Sequence, residues 1–256
     1  MLAFMTAKIR LYVDHPLGAG QSVPLNRDQA HYLFAVMRLA AGDCVALFNG
    51  RDGEWLAEVA VAGKRGGELA IRAQTRPLQR PPDLWLLFAP IKKARTDFIV
   101  EKAAEMGAAR IVPVLTEFTN AERIRRDRLR AHAIEAAEQC GGTYVPEVAD
   151  LTRLDRLLDD WPGNRRLMFC DEAEAGRPMS DADGFGVVPG EAGRPAPGDP
   201  WAILIGPEGG FSEPERARLR GLPFAHVATL GPRILRADTA AVAAMTLWQS
   251  RFGDWR

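Results

Sequence analysis

The sequence predicts an α/β protein in which a parallel-sheet domain follows a smaller β-rich domain. Three observations lead there. From Leu84 onward, short apolar runs alternate with segments of helical spacing, the rhythm of parallel strands joined by helices. Before Arg76 the apolar runs are short and divided by turn dipeptides, without that rhythm. Two glycine-bearing turns near the C-terminus, Ile205-Gly206-Pro207-Glu208-Gly209-Gly210-Phe211 and Leu230-Gly231-Pro232-Arg233-Ile234-Leu235-Arg236, each follow an apolar run and lead into a helix-like pattern. Strand ends of that kind form the edge where open α/β sheets bind small molecules.

The first domain is expected over residues 1–76. Residues 9–13 read as a strand, and 26–39 as a helix capped by Asn26. Strands follow at 44–48, 55–61 and 68–73, with Asn49-Gly50, Asp52-Gly53 and Gly66-Gly67 at the joints that hairpins prefer. The prolines at 77, 81 and 82 make a stiff linker.

The second domain is expected over 83–256. Residues 84–88 form a buried strand and 96–106 a helix stopped by Gly107. A strand at 111–115 and a basic helix at 123–139, ended by Gly141-Gly142, come next. Strands at 166–170, 201–205 and 227–230 complete a sheet of five or six. Ser212-Glu213-Pro214-Glu215 has the spacing of a capping box, and 239–252 is a final helix. The Gly- and Pro-rich stretch at about 176–200 lacks periodicity and reads as a mobile surface loop.

Charge is balanced, with 33 basic and 33 acidic residues, which argues against a purely electrostatic nucleic-acid binder. The balance is uneven: residues 171–200 carry −5, leaving +5 for the remainder and room for a basic face. The three cysteines and four histidines are scattered, so neither a disulfide framework nor a metal site is expected. No apolar run is long enough to span a bilayer, and the reading is of a soluble, cytoplasmic protein.

Neither turn spells G-x-G-x-x-G or a P-loop, so the expected ligand is nucleotide-like but held without a phosphate cradle. Glu208 in the first turn, and Arg236 with Asp238 at the entry to the last helix, bring carboxylates and a guanidinium beside that ligand. Lys92 and Arg95 follow the first strand of the sheet. Arg123, Arg125, Arg126, Arg128 and Arg130 crowd one helix, and Lys8, Arg10, His31 and Arg38 form a second basic patch in the first domain.

Together these residues resemble the ribosomal RNA small subunit methyltransferase E family, of the SPOUT class. The likeness runs nearly end to end: His31-Tyr32-Leu33 through Val36-Met37-Arg38-Leu39, Gly42-Asp43, residues 98–107, Glu138-Gln139-Cys140-Gly141, residues 204–211 and 230–240, and Arg251-Phe252-Gly253-Asp254. It implies a PUA-like RNA-binding barrel, a trefoil-knotted α/β domain, a homodimer, S-adenosylmethionine as cofactor, and N3-methyluridine in 16S rRNA as product. The implied cofactor contacts are Leu204, Ile205, Gly206, Pro207, Glu208, Gly209, Gly210, Leu230, Gly231, Ile234 and Leu235, and the implied catalytic residues Arg236, Glu208 and Asp238. The implied RNA contacts are Lys8, Arg10, His31, Arg38, Lys92, Arg95, Arg123 and Arg126, with no metal. Ribose 2′-O-methylation on the same fold and a non-catalytic RNA-binding factor are the rivals. The chain reads Arg236-Ala237-Asp238-Thr239-Ala240 where the family reads Arg-Thr-Glu-Thr-Ala, so its acid is one methylene shorter.

Overall fold

The structure is a computed structural model that describes residues 7–120, 123–176 and 198–255. The chain forms two compact units, the first reaching to Arg80 and taking in Ala137–Val145, the second holding the rest.

In the first unit, β1 (Arg10–Tyr12), β2 (Ser22–Leu25), β3 (Cys44–Phe48), β4 (Glu54–Ala62) and β5 (Gly67–Arg76) form a five-stranded sheet in the order β1-β3-β4-β5-β2. Alternate residues, among them Val45, Leu47, Ala57, Val59, Leu69 and Ile71, enter one core with Leu33 and Val23. The β3–β4 turn needs its glycine. Gly53 has φ +80°, and a Cβ there would overlap the Arg76 carbonyl oxygen. Asn26 caps as expected, in a reciprocal pair with Gln29, but the helix behind it is split. Regular α1 (Arg27–Ala30) gives way to a π-helical turn over His31–Val36.

Ala137–Val145 joins this unit through the side chains of Arg10, Glu138 and Thr143, the last accepting from the Gln79 amide at 2.8 Å. Arg10 donates to the carbonyls of Ala137 (2.6 Å), Glu138 (2.8 Å) and Gly142 (2.8 Å), and the Glu138 carboxylate accepts from the Tyr12 amide at 2.7 Å. A cation over terminal helix carbonyls is where the helix dipole favours it. Arg10 also stacks on Phe48 and donates to Glu54 Oε2 at 2.8 Å. Glu54 further accepts from Arg76 Nη2 at 2.5 Å and Thr75 Oγ1 at 2.8 Å. Burial pushes the Glu54 carboxyl up, but the bonds from Arg76, Arg10 and Thr75 outweigh it and hold it down at about 2.

The second unit is a parallel sheet. Its strands are β6 (Leu84–Phe88), β7 (Arg110–Leu115), β8 (Glu147–Val148), β9 (Thr152–Arg153), β10 (Arg166–Cys170), β11 (Trp201–Ile205) and β12 (Ala225–Ala228). The order is β12-β10-β11-β6-β7-β8, with β9 pairing β7. Apolar residues fill β6, β10 and β11 because both faces of the sheet are covered. The helices are α2 (Lys93–Glu105), α3 (Arg126–Cys140), α4 (Leu154–Asp159), α5 (Glu213–Arg220) and α6 (Ala237–Arg251). Ser212 and Glu215 make the expected capping box of α5. Strand β12 ends two residues short of expectation, where Thr229 turns its hydroxyl onto the Glu174 carbonyl oxygen at 3.1 Å. Consecutive strands β11 and β12 flank β10, so the residues that directly follow β10 (171–176) lie between the two glycine-bearing turns. The mobile loop expected at about 176–200 falls mostly on residues 177–197, outside the described residues.

Candidate functional site

The two turns and the connection after β10 enclose a cavity of about 460 Å³ at the C-terminal ends of β10, β11 and β12. Ile205, Gly206, Pro207, Glu208 and Gly210 wall one side, and Leu230, Gly231, Ile234 and Leu235 the other, so these expected cofactor contacts share one cavity. Two expected members lie apart from the cavity wall. Leu204 is wholly buried in β11, and Gly209 faces the Phe118 side chain. Three glycines, Gly206, Gly210 and Gly231, bring main chain to the wall beside its side chains. At Gly206 a Cβ would come within 2.6 Å of the Phe211 ring, and Gly210 and Gly231 have φ of +71° and +107°. Ile234, by contrast, leaves 74% of its surface exposed at the cavity. An uncovered aliphatic face beside main-chain donors and acceptors suits a ligand with a flat heterocycle.

Charge collects on one part of the wall. Arg95, at the start of α2, donates from Nη1 to Glu208 Oε1 at 3.0 Å and pairs through Nε with Asp238 Oδ2 at 3.7 Å. Asp238 sits in the first turn of α6 and accepts from the Thr239 amide at 2.9 Å, with the helix N-terminus favouring its charge. Arg95 thus joins both expected carboxylates. The sequence placed it at the ligand edge and among the RNA contacts, and no spacing in the chain could have shown the pairing. Arg236, the N-cap of α6, and Lys92 also line the cavity, so one pocket gathers Lys92, Arg95, Glu208 and Arg236.

The other expected contacts lie elsewhere. Lys8, His31 and Arg38 are exposed in the first unit, with Arg38 in the left-handed region at φ 59°. Arg10 does not offer a free cation to a partner, since its guanidinium is committed to Glu54, to two helix carbonyls and to the Gly142 carbonyl just past the helix. Arg123 is exposed just before α3, whereas Arg126 is anchored on the Val148 carbonyl at 2.7 Å. The crowded arginines are partly consumed as well, Arg128 by Asp97 at 2.6 Å and Arg125 by Asp127 at 2.8 Å.

Cys170 ends β10 on the cavity wall, and burial pushes its thiol up to about 12. It is a packing group, since only the thiolate is nucleophilic. Iodoacetamide at pH 8 is expected to alkylate exposed Cys140 and to spare Cys170, as peptide mass mapping would show. Among the described residues no group of histidine, cysteine and carboxylate side chains could hold a metal, and no helix is long and apolar enough to cross a membrane.

Residues 79–249 match the model of an RNA methyltransferase domain family, and residues 25–71 that of the RNA methyltransferase PUA domain. The chain belongs to this RNA methyltransferase family. It is 27% identical over 245 residues to the ribosomal RNA small subunit methyltransferase E of Rickettsia conorii, covering 92% of this chain and 93% of that one. The enzyme of the same name from Buchnera aphidicola (Schizaphis graminum) is 27% identical, over 96% and 97%. The crystal structure of the Neisseria gonorrhoeae enzyme bound to S-adenosyl methionine superposes with a TM-score of 0.83 at 26% identity, covering 97% and 99%. The RNA methyltransferase architecture is therefore the expected one, a small PUA-like domain followed by a parallel-sheet domain of the SPOUT class.

Proposed function

We propose that the protein transfers the methyl group of S-adenosylmethionine to N3 of a uridine in the 16S RNA of the small ribosomal subunit. The observation that carries this is the cavity between the two turns, with Arg95, Glu208, Asp238 and Arg236 gathered about it. Support comes from relatives over nearly the whole chain that are named as small-subunit RNA methyltransferases, and from one solved with that cofactor. The cofactor supplies, when bound, a methyl group on a positively charged sulfur.

The chain's own task is to hold, orient and deprotonate. Main-chain groups of 205–210 and 230–235 hold a ligand by hydrogen bonds and need no phosphate cradle, while Ile234 covers an apolar face. Uridine N3–H is a weak acid, so its proton must leave as the methyl arrives. Arg236 stabilises the developing uridine anion, and Asp238 or Glu208 accepts the proton, directly or through water. Arg95 keeps both carboxylates in place. The base enters unstacked. Lys8, His31, Arg38, Lys92, Arg123 and Arg126 are assigned to the RNA backbone, and the protein to a cytoplasmic homodimer.

Small ribosomal subunits lacking the modification, incubated with methyl-labelled cofactor, are expected to yield N3-methyluridine on nuclease digestion and mass analysis. Label on a ribose would replace base methylation with 2′-O-methylation. Neither transfer nor cofactor binding would leave an RNA-binding factor. In the same assay Arg236→Ala is expected to lower the single-turnover rate about 100-fold, and a rate within twofold of the parent removes Arg236 from catalysis.

A further inference from the structure

Behind the cavity lies a set of ion pairs that the mechanism does not use. The connection after β10 opens with Asp171, then a 3-10 turn over Glu172–Glu174, and its three acids meet two arginines of α5. Asp171, whose side chain is wholly buried, accepts from Arg216 Nε at 3.1 Å and Arg220 Nη2 at 2.7 Å. Arg220 Nη2 also donates to Glu174 Oε1 at 2.6 Å. Arg216 Nη2 donates to Glu172 Oε1, and the same carboxylate oxygen accepts from the Phe211 amide at 3.2 Å. Phe211 directly follows the first turn, and Asp171 and Glu172 both line the cavity.

We propose that Arg216 is a positioning residue for the methyl donor. Its guanidinium spans Asp171 and Glu172, holds the Glu172 carboxylate against the Phe211 amide, and so fixes the shape of the 206–210 turn. The inference rests on the cavity being the S-adenosylmethionine site. Gly210 adds independent geometry: a Cβ there would overlap Glu172 Oε1, so the turn leaves open the space that carboxylate occupies. Arg220 does the corresponding work for the second turn. It holds Glu174, whose carbonyl accepts from Thr229, and Gly176 then donates to the Gly231 carbonyl at 3.2 Å. The two arginines stand four residues apart, hence on one face of α5. A planar guanidinium can serve two carboxylates at fixed angles, which a lysine ammonium cannot reproduce.

The test is calorimetric titration with S-adenosylmethionine of the full chain and of Arg216→Gln, Arg216→Lys, Glu172→Ala and, as a control on the same helix, Arg218→Gln. Arg218 pairs with Asp159 at 2.6 Å and is not among the residues lining the cavity. Arg216→Gln and Glu172→Ala are expected to weaken cofactor binding at least tenfold and to speed hydrogen exchange at the Phe211 amide. Arg216→Lys recovers part of the loss, and Arg218→Gln stays within twofold. In turnover, KM for the cofactor rises while kcat at saturation stays within threefold, a split that simple loss of stability does not produce. Folded Arg216→Gln binding within twofold of the parent, with unchanged Phe211 exchange, overturns the inference. If that variant does not fold, Glu172→Ala decides by the same criteria. A parent chain that binds no cofactor sinks the functional reading itself, whereas a parent that binds and variants that match it sink this inference alone.

Discussion

Glu54→Gln is expected to destabilise the first unit by about 3 kcal/mol at neutral pH. The carboxylate is nearly buried and receives Arg10, Arg76 and Thr75, and its carboxyl is held at about 2 against an ordinary 4.5. Glutamine keeps the shape but leaves the two guanidinium groups facing a neutral amide, and removing one partner of a buried pair costs more than the pair contributes. A carboxyl depressed in the folded state stabilises above the unfolded value and loses that contribution as pH falls towards the folded one. The gap between parent and variant is therefore full at pH 7, begins to close below about pH 4.5, and is nearly gone near pH 2. Urea unfolding at several pH values, followed by fluorescence in a background where Trp55 is the sole tryptophan, measures it. A gap that does not change with pH would show that Glu54 acts by packing alone.

Gly206→Ala is expected to weaken S-adenosylmethionine binding by more than tenfold. The added methyl would stand 2.6 Å from the Phe211 ring. That ring cannot yield, because it is 1% exposed and packed edge-on against Phe169 at a centroid distance of 5.0 Å. The main chain at the end of β11 must move instead, carrying with it the groups that line the cavity. Overpacking of this kind costs about 1–3 kcal/mol, and each 1.4 kcal/mol is tenfold in affinity. Gly231→Ala makes a useful contrast, since nothing lies within 4 Å and only its φ of +107° resists. Gly163→Ala, in open space with no such backbone demand, should bind as the parent does. Titration of the three variants beside thermal melts settles the order. Equal binding by Gly206→Ala would mean that the turn is not part of the ligand wall.

What the sequence made legible was local. Apolar runs of five residues ending in glycine turns located β11 and its cavity wall, and Ser212 with Glu215 located the start of α5. Strand β2 was hidden by Pro24, which reads as a breaker but is tolerated because β2 lies at the sheet edge. The short elements β8, β9 and α4 carry too few residues for any period to declare itself. Charge was the least legible. Asp171, Glu172 and Glu174 read only as part of the net negative charge of residues 171–200, since their partners Arg216 and Arg220 stand more than forty residues away. Arg10 read as a phosphate contact for the same reason, because the helix end it serves arrives 127 residues later. Periodicity reports on neighbours along the chain; ion pairs across it belong to the fold.

A binding wall shaped by glycine turns has a further effect on what mutation can do to this protein. Side chains that point away from such a wall can be exchanged without touching the ligand, so long as the few positions lacking a Cβ are kept. Saturation mutagenesis of the two turns should accordingly give a divided profile, with Gly206 and Gly210 intolerant for shape, Glu208 and Arg236 intolerant for chemistry, and the remaining positions more permissive.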